Sequence, residues 1–154
     1  MRIVDQQVHD FFETPTDFEG CLRLIERAGR TCYGSTDKIK EGSARPFVEG
    51  LIKRGHLSVL RHSNLVIWDE GEAGETCKCL NKFQCYSGGN WQAWAEEFAG
   101  PLWIDWLEYR HSNHGSLSPP PLKRYTAHVT TSLRNSHQLV RHTTLAVSQK
   151  STRY

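Results

Sequence analysis

The sequence predicts an α+β fold, a mixed or antiparallel sheet flanked by helices. Phe18, Leu22, Ile25 and Ala28 recur near helical spacing with charged residues between them, the pattern of an amphipathic helix. Asn64-Leu-Val-Ile-Trp68 and Arg124-Tyr-Thr-Ala-His-Val-Thr-Thr131 are short and rich in β-branched and aromatic residues, as half-buried strands are. The 154 residues amount to one domain long enough to bury a core.

Taken in order, the first helix runs from Asp17 to Gly29, followed by a loop through Gly34-Ser-Thr-Asp37. Ser43 is the expected N-cap of a second helix, Ala44 to Arg54, with Phe47, Val48, Leu51 and Ile52 inward and Gly55 ending it. Pro46 falls in the first turn, where proline is tolerated. His56 to His62 reads as a turn or short helical piece, and the strand 64–68 leads into an acidic, Gly-rich loop from Asp69 to Glu75. Lys82 to Tyr86 reads as a further strand, and Gly88-Gly89 as a loop before the next helix. Asn90 is placed to cap a helix from Trp91 to about Tyr109, interrupted or bent at Gly100-Pro101. Arg110 to Pro121, with three successive prolines, reads as a connector. After the strand 124–131, Ser132 caps a helix through about Arg141.

The mean hydropathy of −0.57 fits a soluble globular chain. No stretch approaches the roughly 20 apolar residues of a membrane span, and the N-terminus lacks a signal-peptide apolar core. A cytoplasmic protein is expected. The odd count of five cysteines, Cys21, Cys32, Cys77, Cys79 and Cys85, then points to reduced thiols. Cys77-x-Cys79 with Cys85 lacks the two Cys-x-x-Cys pairs of a structural zinc site, so no metal is expected. His111-x-x-His114 is read as solvated, and Trp91, Trp94, Trp103 and Trp106, in pairs at i, i+3, as core or interface packing.

The formal net charge of +2 hides a sharp polarity. Residues 1–108 hold 12 Lys/Arg and all 17 Asp/Glu, whereas residues 109–154 hold 7 Lys/Arg, five of the eight histidines and no carboxylate. Such a basic third meets an anion: nucleic acid, a nucleotide phosphate or an acidic patch on another subunit. Its end, Arg141-His-Thr-Thr-Leu-Ala-Val-Ser-Gln-Lys-Ser-Thr-Arg-Tyr154, packs two arginines, a histidine, five Ser/Thr hydroxyls and a glutamine into fourteen positions. On the preceding helix Arg134, Gln138 and Arg141 share a face, while Leu133 and Val140 can pack inward. Thr143 to Tyr154 reads as an extended strand with Gln149, Ser151 and Arg153 on one face. An amide, a hydroxyl and a guanidinium so placed can read a base edge and grip a phosphate. The same residues are also compatible with a solvated basic terminus.

Arg141-His142-x-x-x-x-x-Ser148-Gln149-x-Ser151-x-Arg153-Tyr154 resembles the signature of the flavin-dependent thymidylate synthases, the ThyX family. The family pattern is Arg-His-Arg-x-x-Ser-x-Asn-Glu-x-Ser-x-Arg-Tyr, with Ser-Gln common at the Asn-Glu pair. Ser132-Leu-Arg-Asn-Ser-His-Gln-Leu-Val140 is similar to the family's lead-in helix. Arg30-Thr-Cys-Tyr33 and Gly55-His56-x-Ser58-x-x-x-His62 match two upstream motifs in order. The resemblance covers roughly residues 17–68 and 124–154 of a single domain spanning 1–154, with about 69–123 as an insert. Within it, Ser87-Gly-Gly-Asn-Trp-Gln-Ala-Trp94 is loosely similar to a segment of some longer members.

What the resemblance implies is a ThyX-like fold and reductive methylation of dUMP to dTMP. Methylenetetrahydrofolate supplies the carbon, and NADPH and FAD supply the hydride. By the same match, Ser58, Arg141, His142, Thr143 and Ser148 fall at FAD-binding positions. Gln138, Gln149, Ser151 and Arg153 fall at dUMP-binding positions, with Gln149 and Arg153 taking the catalytic role. No cysteine nucleophile is needed. The family's homotetramers combine residues of several subunits in each site, so a homo-oligomer is implied.

Four departures stand against the pattern. Thr143 replaces an arginine, Ala146 a serine, and Arg61 the glutamate expected before His62. Arg61 offers a positive charge where position 143 has lost one. Family members continue well past the signature whereas this sequence stops at Tyr154, so a short or truncated relative is expected. Apolar surface left uncovered in it would favour association. Three functions follow: the synthase itself, a degenerate relative that binds flavin or nucleotide without turnover, and a basic nucleic-acid-binding module. The third is disfavoured because the aromatic residues are concentrated in the acidic part of the chain.

Overall fold

The computed structural model describes residues 5–69, 78–81, 84–98, 103–113, 124–141 and 145–150. They form an α+β arrangement with two small antiparallel sheets. The helices are α1 (Phe18–Cys32), α2 (Ala44–Lys53), α3 (Trp91–Phe98), α4 (Trp103–Asn113) and α5 (Leu133–Val140). The strands are β1 (Gln7–Glu13), β2 (Asn64–Asp69), β3 (Lys78–Asn81), β4 (Gln84–Asn90) and β5 (Tyr125–Thr130). β1 pairs with β5, and the other sheet runs β2-β4-β3. Two short 3₁₀-helices, Thr36–Lys38 and Leu57–His62, complete the described elements.

α1 starts where the Asp17 carboxylate accepts the Gly20 N–H at 2.7 Å, satisfying one of the helix's orphan donors. It runs to Cys32, three residues beyond the expected Gly29. Both α1 and α2 end on a left-handed glycine, Gly34 at φ 60° and Gly55 at φ 70°. In α1 the Gly34 and Ser35 N–H groups reach back to the Thr31 and Arg30 carbonyls at 3.3 and 2.9 Å. In α2 the Gly55 and His56 N–H groups reach Ile52 and Leu51, each at 2.9 Å. This paired closure caps the last carbonyls and turns the chain sharply.

The expected N-cap residue of the second helix, Ser43, is found in its place without a side-chain capping bond. Its Oγ instead lies 2.8 Å from Oε1 of Glu26 and 2.7 Å from the Lys40 carbonyl, and it accepts the Lys40 N–H at 3.0 Å. A buried carboxylate gains more from that hydroxyl than a solvated helix end does.

The core joins Phe18, Leu22 and Ile25 of α1 to Val48 and Leu51 of α2. Leu60, Leu65, Trp91, Trp94, Trp103 and Leu107 complete it. The expected inward faces of the first two helices and the core placement of these tryptophans are therefore found. Trp91 is fully buried, stacked on Phe18 at 5.7 Å and edge-on to Trp103 at 6.1 Å. Ser63, also fully buried, ties three elements: its Oγ donates to the Cys21 carbonyl at 3.2 Å, and its own carbonyl accepts the Trp91 N–H at 2.9 Å. Gly29 leaves room on α1 for the Phe47 side chain of α2, since a Cβ there would lie 2.7 Å from the Phe47 ring.

The helix read from Trp91 to Tyr109 with an interruption or bend at Gly100-Pro101 is found as two helices, in keeping with that reading, with residues 99–102 outside the described set. Asn90 does cap the first of them, its Oδ1 accepting the Ala93 N–H at 3.0 Å. Several expectations are revised. Arg110 to Asn113 is not connector but the last turn of α4. The cause is His111, read as solvated yet only 8% exposed, packed 5.7 Å from the Phe18 ring and 5.4 Å from the Trp91 ring. Residues 114–123, with His114, lie outside the described residues.

Gly88 and Gly89 are paired with Val66 and Leu65 in β4, not in a loop, because the long β2 ladder recruits them. Of the strand read at 82–86, residues 84–86 lie in β4 and residues 82 and 83 lie outside the described residues. Asp69, read as opening a loop, closes β2 opposite Cys85. Val140 does not pack inward but is 53% exposed.

Candidate functional site

Three separated stretches of sequence meet beside the C-terminal end of α1. Tyr33, just past that helix, places its hydroxyl 3.0 Å from Nδ1 of His56. This bond joins the Arg30–Tyr33 motif to the Gly55–His62 motif, and the two glycine turns make it possible by directing both chain ends to one place. From His56 the chain enters the 3₁₀-helix 57–62, whose Val59 and Leu60 are buried while Ser58 and Arg61 face outward. The last residue of that helix, His62, has Nε2 2.9 Å from the Ser148 hydroxyl across 86 positions of sequence. Either atom can donate, depending on the imidazole tautomer.

Around this bond lies a cleft of about 270 Å³ lined by Cys32, Ser58, Val59, Arg61, Val140, Val147, Ser148 and Gln149. Of the residues singled out in the sequence, Ser58, Ser148 and Gln149 thus come together, and Arg61 stands with them. Gln138 lies on α5 and Arg141 at its C-terminal cap, both exposed together with Arg134. Neither Gln138 nor Arg141 lines the cleft. His142, Thr143, Ser151 and Arg153 lie outside the described residues. The strand expected over 143–154 is not found at residues 145–150, with which no strand among the described residues pairs.

The cleft combines two hydroxyls, a primary amide and a guanidinium with an apolar rim of Val140 and Val147. Hydroxyl and amide groups donate and accept, and a guanidinium donates only. Such a set suits a heteroaromatic ring carrying carbonyls and ring nitrogens, with an anionic group nearby. Cys32, Val140 and Val147 were not foreseen as lining residues. Cys32 belongs to an upstream motif that matched, but the two valines carry no chemical mark in the sequence.

Burial, and next the charge of Arg61, lower the pKa of His62. The imidazole is therefore neutral near pH 7 and able to exchange either hydrogen-bond role with Ser148. His111 is lowered too, by burial first, against a hydrogen bond to the Thr16 backbone and the Asp17 carboxylate. Both histidines bind protons less readily folded than unfolded. Stability is then full above the unfolded value of about 6.5 and declines as pH falls below it. Urea midpoints measured from pH 7.5 down to 5 should fall, and the fall should be smaller in a His62→Gln/His111→Gln variant; an equal fall in both proteins would contradict the assignment.

Cys21 is buried, its thiol 3.4 Å from the Pro15 carbonyl, and burial pushes its pKa up to about 11. It is a packing residue and not a nucleophile. Among the described residues no cluster of three or more His, Cys, Asp or Glu could hold a metal ion. Nor is any helix among them long and apolar enough to cross a membrane.

With this geometry in place, the chain's relatives bear on the cleft. A segment of 61 residues, 38% of the chain, is 34% identical to a flavin-dependent thymidylate synthase of Corynebacterium glutamicum, covering 24% of that protein. A segment of 58 residues, 36% of the chain, is 40% identical to the enzymes of the same name from Mycobacterium sp. strain JLS and Mycolicibacterium vanbaalenii, covering 23% of each. The likeness is partial. The chain spans about a quarter of the length of the curated relatives it matches. No protein-family model and no solved structure matches it.

Proposed function

We propose that this chain is a ThyX-like domain, with residues 69–123 inserted, that forms part of a flavin–nucleotide site for thymidylate synthesis. In that reaction dUMP, methylenetetrahydrofolate, NADPH and a proton yield dTMP, tetrahydrofolate and NADP⁺. The observation that carries the reading is the convergence of three matched motifs on one cleft, through Cys32, Ser58, Arg61, Ser148 and Gln149. Partial similarity to three enzymes of that name supports it.

The donor set fits FAD in kind: hydroxyls and an amide for the ring edge, and Arg61, with Arg141 outside the cleft, for phosphate. Bound FAD would supply the hydride-carrying chemistry between NADPH and the pyrimidine. The protein's own groups bind and orient. Ser148, held by His62 at 2.9 Å, keeps its hydroxyl in one position toward the cleft. Gln149 offers both amide functions to the uracil edge, Ser151 adds a hydroxyl and Arg153 grips the nucleotide phosphate. Gln138, His142 and Thr143 take their roles from the match.

The cleft's volume of about 270 Å³ lies below the usual range of roughly 300–1,000 Å³ for small-ligand pockets. A dinucleotide is therefore not enclosed by it alone, which favours a site completed by other copies in a homotetramer. A cytoplasmic location, where the folate, NADPH and dUMP are found, goes with this reading.

A second reading has one observation in its favour. Arg61 lines the cleft at the position where the family pattern has glutamate, so a relative that binds flavin or nucleotide without turnover is the alternative. Incubation of the full chain with FAD, NADPH, methylenetetrahydrofolate and dUMP separates the two. Formation of dTMP is the expected result. Flavin binding without dTMP would move the conclusion to the second reading.

A further inference from the structure

A larger cleft, of about 440 Å³, lies between the end of α1, the loop 40–43 and the outer face of α2. Arg30, Lys40 and Arg54 bring three cations to it, and Glu41 one carboxylate. It shares no lining residue with the cleft at Ser148. We propose that it is a second, separate binding site for a small molecule bearing a phosphate or pyrophosphate group.

The cations are held in place by the fold. Glu26 is 1% exposed, and its carboxylate binds Arg30 Nε at 2.7 Å and the Ser43 hydroxyl at 2.8 Å. Ser43 in turn pins the Lys40 backbone from both sides, taking its N–H at 3.0 Å and lying 2.7 Å from its carbonyl. One buried carboxylate therefore organises two of the three cationic residues. Arg30 also lies 4.6 Å over the Phe47 ring, which fixes the guanidinium plane. Its Nε is committed to Glu26, so its two terminal nitrogens are the donors it can offer to a ligand.

Arg54 is accommodated by a glycine. A Cβ at Gly50 would have Arg54 Nη1 at 3.2 Å and Nη2 at 3.5 Å as its nearest neighbours. The bare backbone lets the guanidinium lie against α2 within the cleft. Among the described residues neither Lys40 nor Arg54 has an ion-pair partner. Two guanidinium forks and an ammonium match the several oxygens of a phosphate better than the two of a carboxylate.

The test is titration of the full ¹⁵N-labelled chain with inorganic pyrophosphate, followed at the backbone amides of residues 40–43 and 50 and at Arg30 Nε. These signals should shift saturably. In a Lys40→Ala/Arg54→Ala variant the dissociation constant read from them should rise at least ten-fold. Gly50→Glu, which sets a carboxylate beside Arg54 without entering the core, should weaken it likewise. The Arg153→Ala variant should leave these shifts unchanged, which separates this site from the nucleotide reading. Amides 40–43 and 50 that do not move, or that move with the same constant in both variants, would overturn the proposal. So would succinate binding as tightly as pyrophosphate.

Discussion

Replacing Arg30 by alanine should be the most damaging single change among the charged residues described. Glu26 sits almost out of contact with water, and Arg30 is its cationic partner at 2.7 Å. Removing one member of a buried pair leaves an uncompensated charge, which costs roughly 3–5 kcal/mol. For a chain of this size that lowers the melting temperature by on the order of 10 °C. The loss of Arg30's stacking over Phe47 at 4.6 Å adds to it. A Glu26→Gln/Arg30→Met double variant should be less damaged than Arg30→Ala. It removes both charges while keeping a side chain that can still bond Ser43. Thermal and urea unfolding of the variants read this directly. A cost below about 1 kcal/mol for Arg30→Ala would mean the carboxylate is solvated, contrary to its burial.

Arg153→Ala should abolish dUMP binding while leaving the fold largely intact. The proposed role is a charge-assisted contact to the nucleotide phosphate. Loss of such a contact in a desolvated site costs about 2–5 kcal/mol, or about thirty-fold to several thousand-fold in affinity. Ser148→Ala should behave differently, since its hydroxyl is tied to His62 at 2.9 Å in the cleft assigned to flavin. Titration of dUMP into both variants, with circular dichroism as the folding control, discriminates between the roles. Unchanged dUMP affinity in Arg153→Ala would remove the nucleotide assignment while leaving the described fold untouched.

The parts of the fold legible in the sequence were those whose cause is local. Asn90 and Ser132 each cap a helix, as read, through a bond to a backbone N–H three residues on. Asp17, read as the first residue of its helix, caps α1 in the same way. Gly55 ends α2 as its position suggested. β1 was not foreseen. Its pairing with β5 is irregular between Val8 and Asp10, which breaks the two-residue alternation that marks a strand. It also leaves Phe11 67% exposed, so no inward face could be read from it. Ser43 takes the N-cap position that was read for it, but its hydroxyl answers to Glu26, 17 positions away, a competition no local pattern displays.

The site was legible in the same uneven way. Ser58, Ser148 and Gln149 were named from motif order, and the fold brings them to one cleft. The bond from His62 to Ser148 was not foreseen, because it depends on how the 3₁₀-helix 57–62 meets a segment 86 positions on. Val140 and Val147 close the rim without any chemical signal of their own.

The measurement that bears most directly on this account is the visible absorption of the full chain after incubation with FAD and gel filtration, with and without dUMP. Flavin should stay with the protein, its spectrum should be altered by dUMP, and retained flavin should be lost in Ser148→Ala. A colourless protein that retains neither ligand would contradict the account.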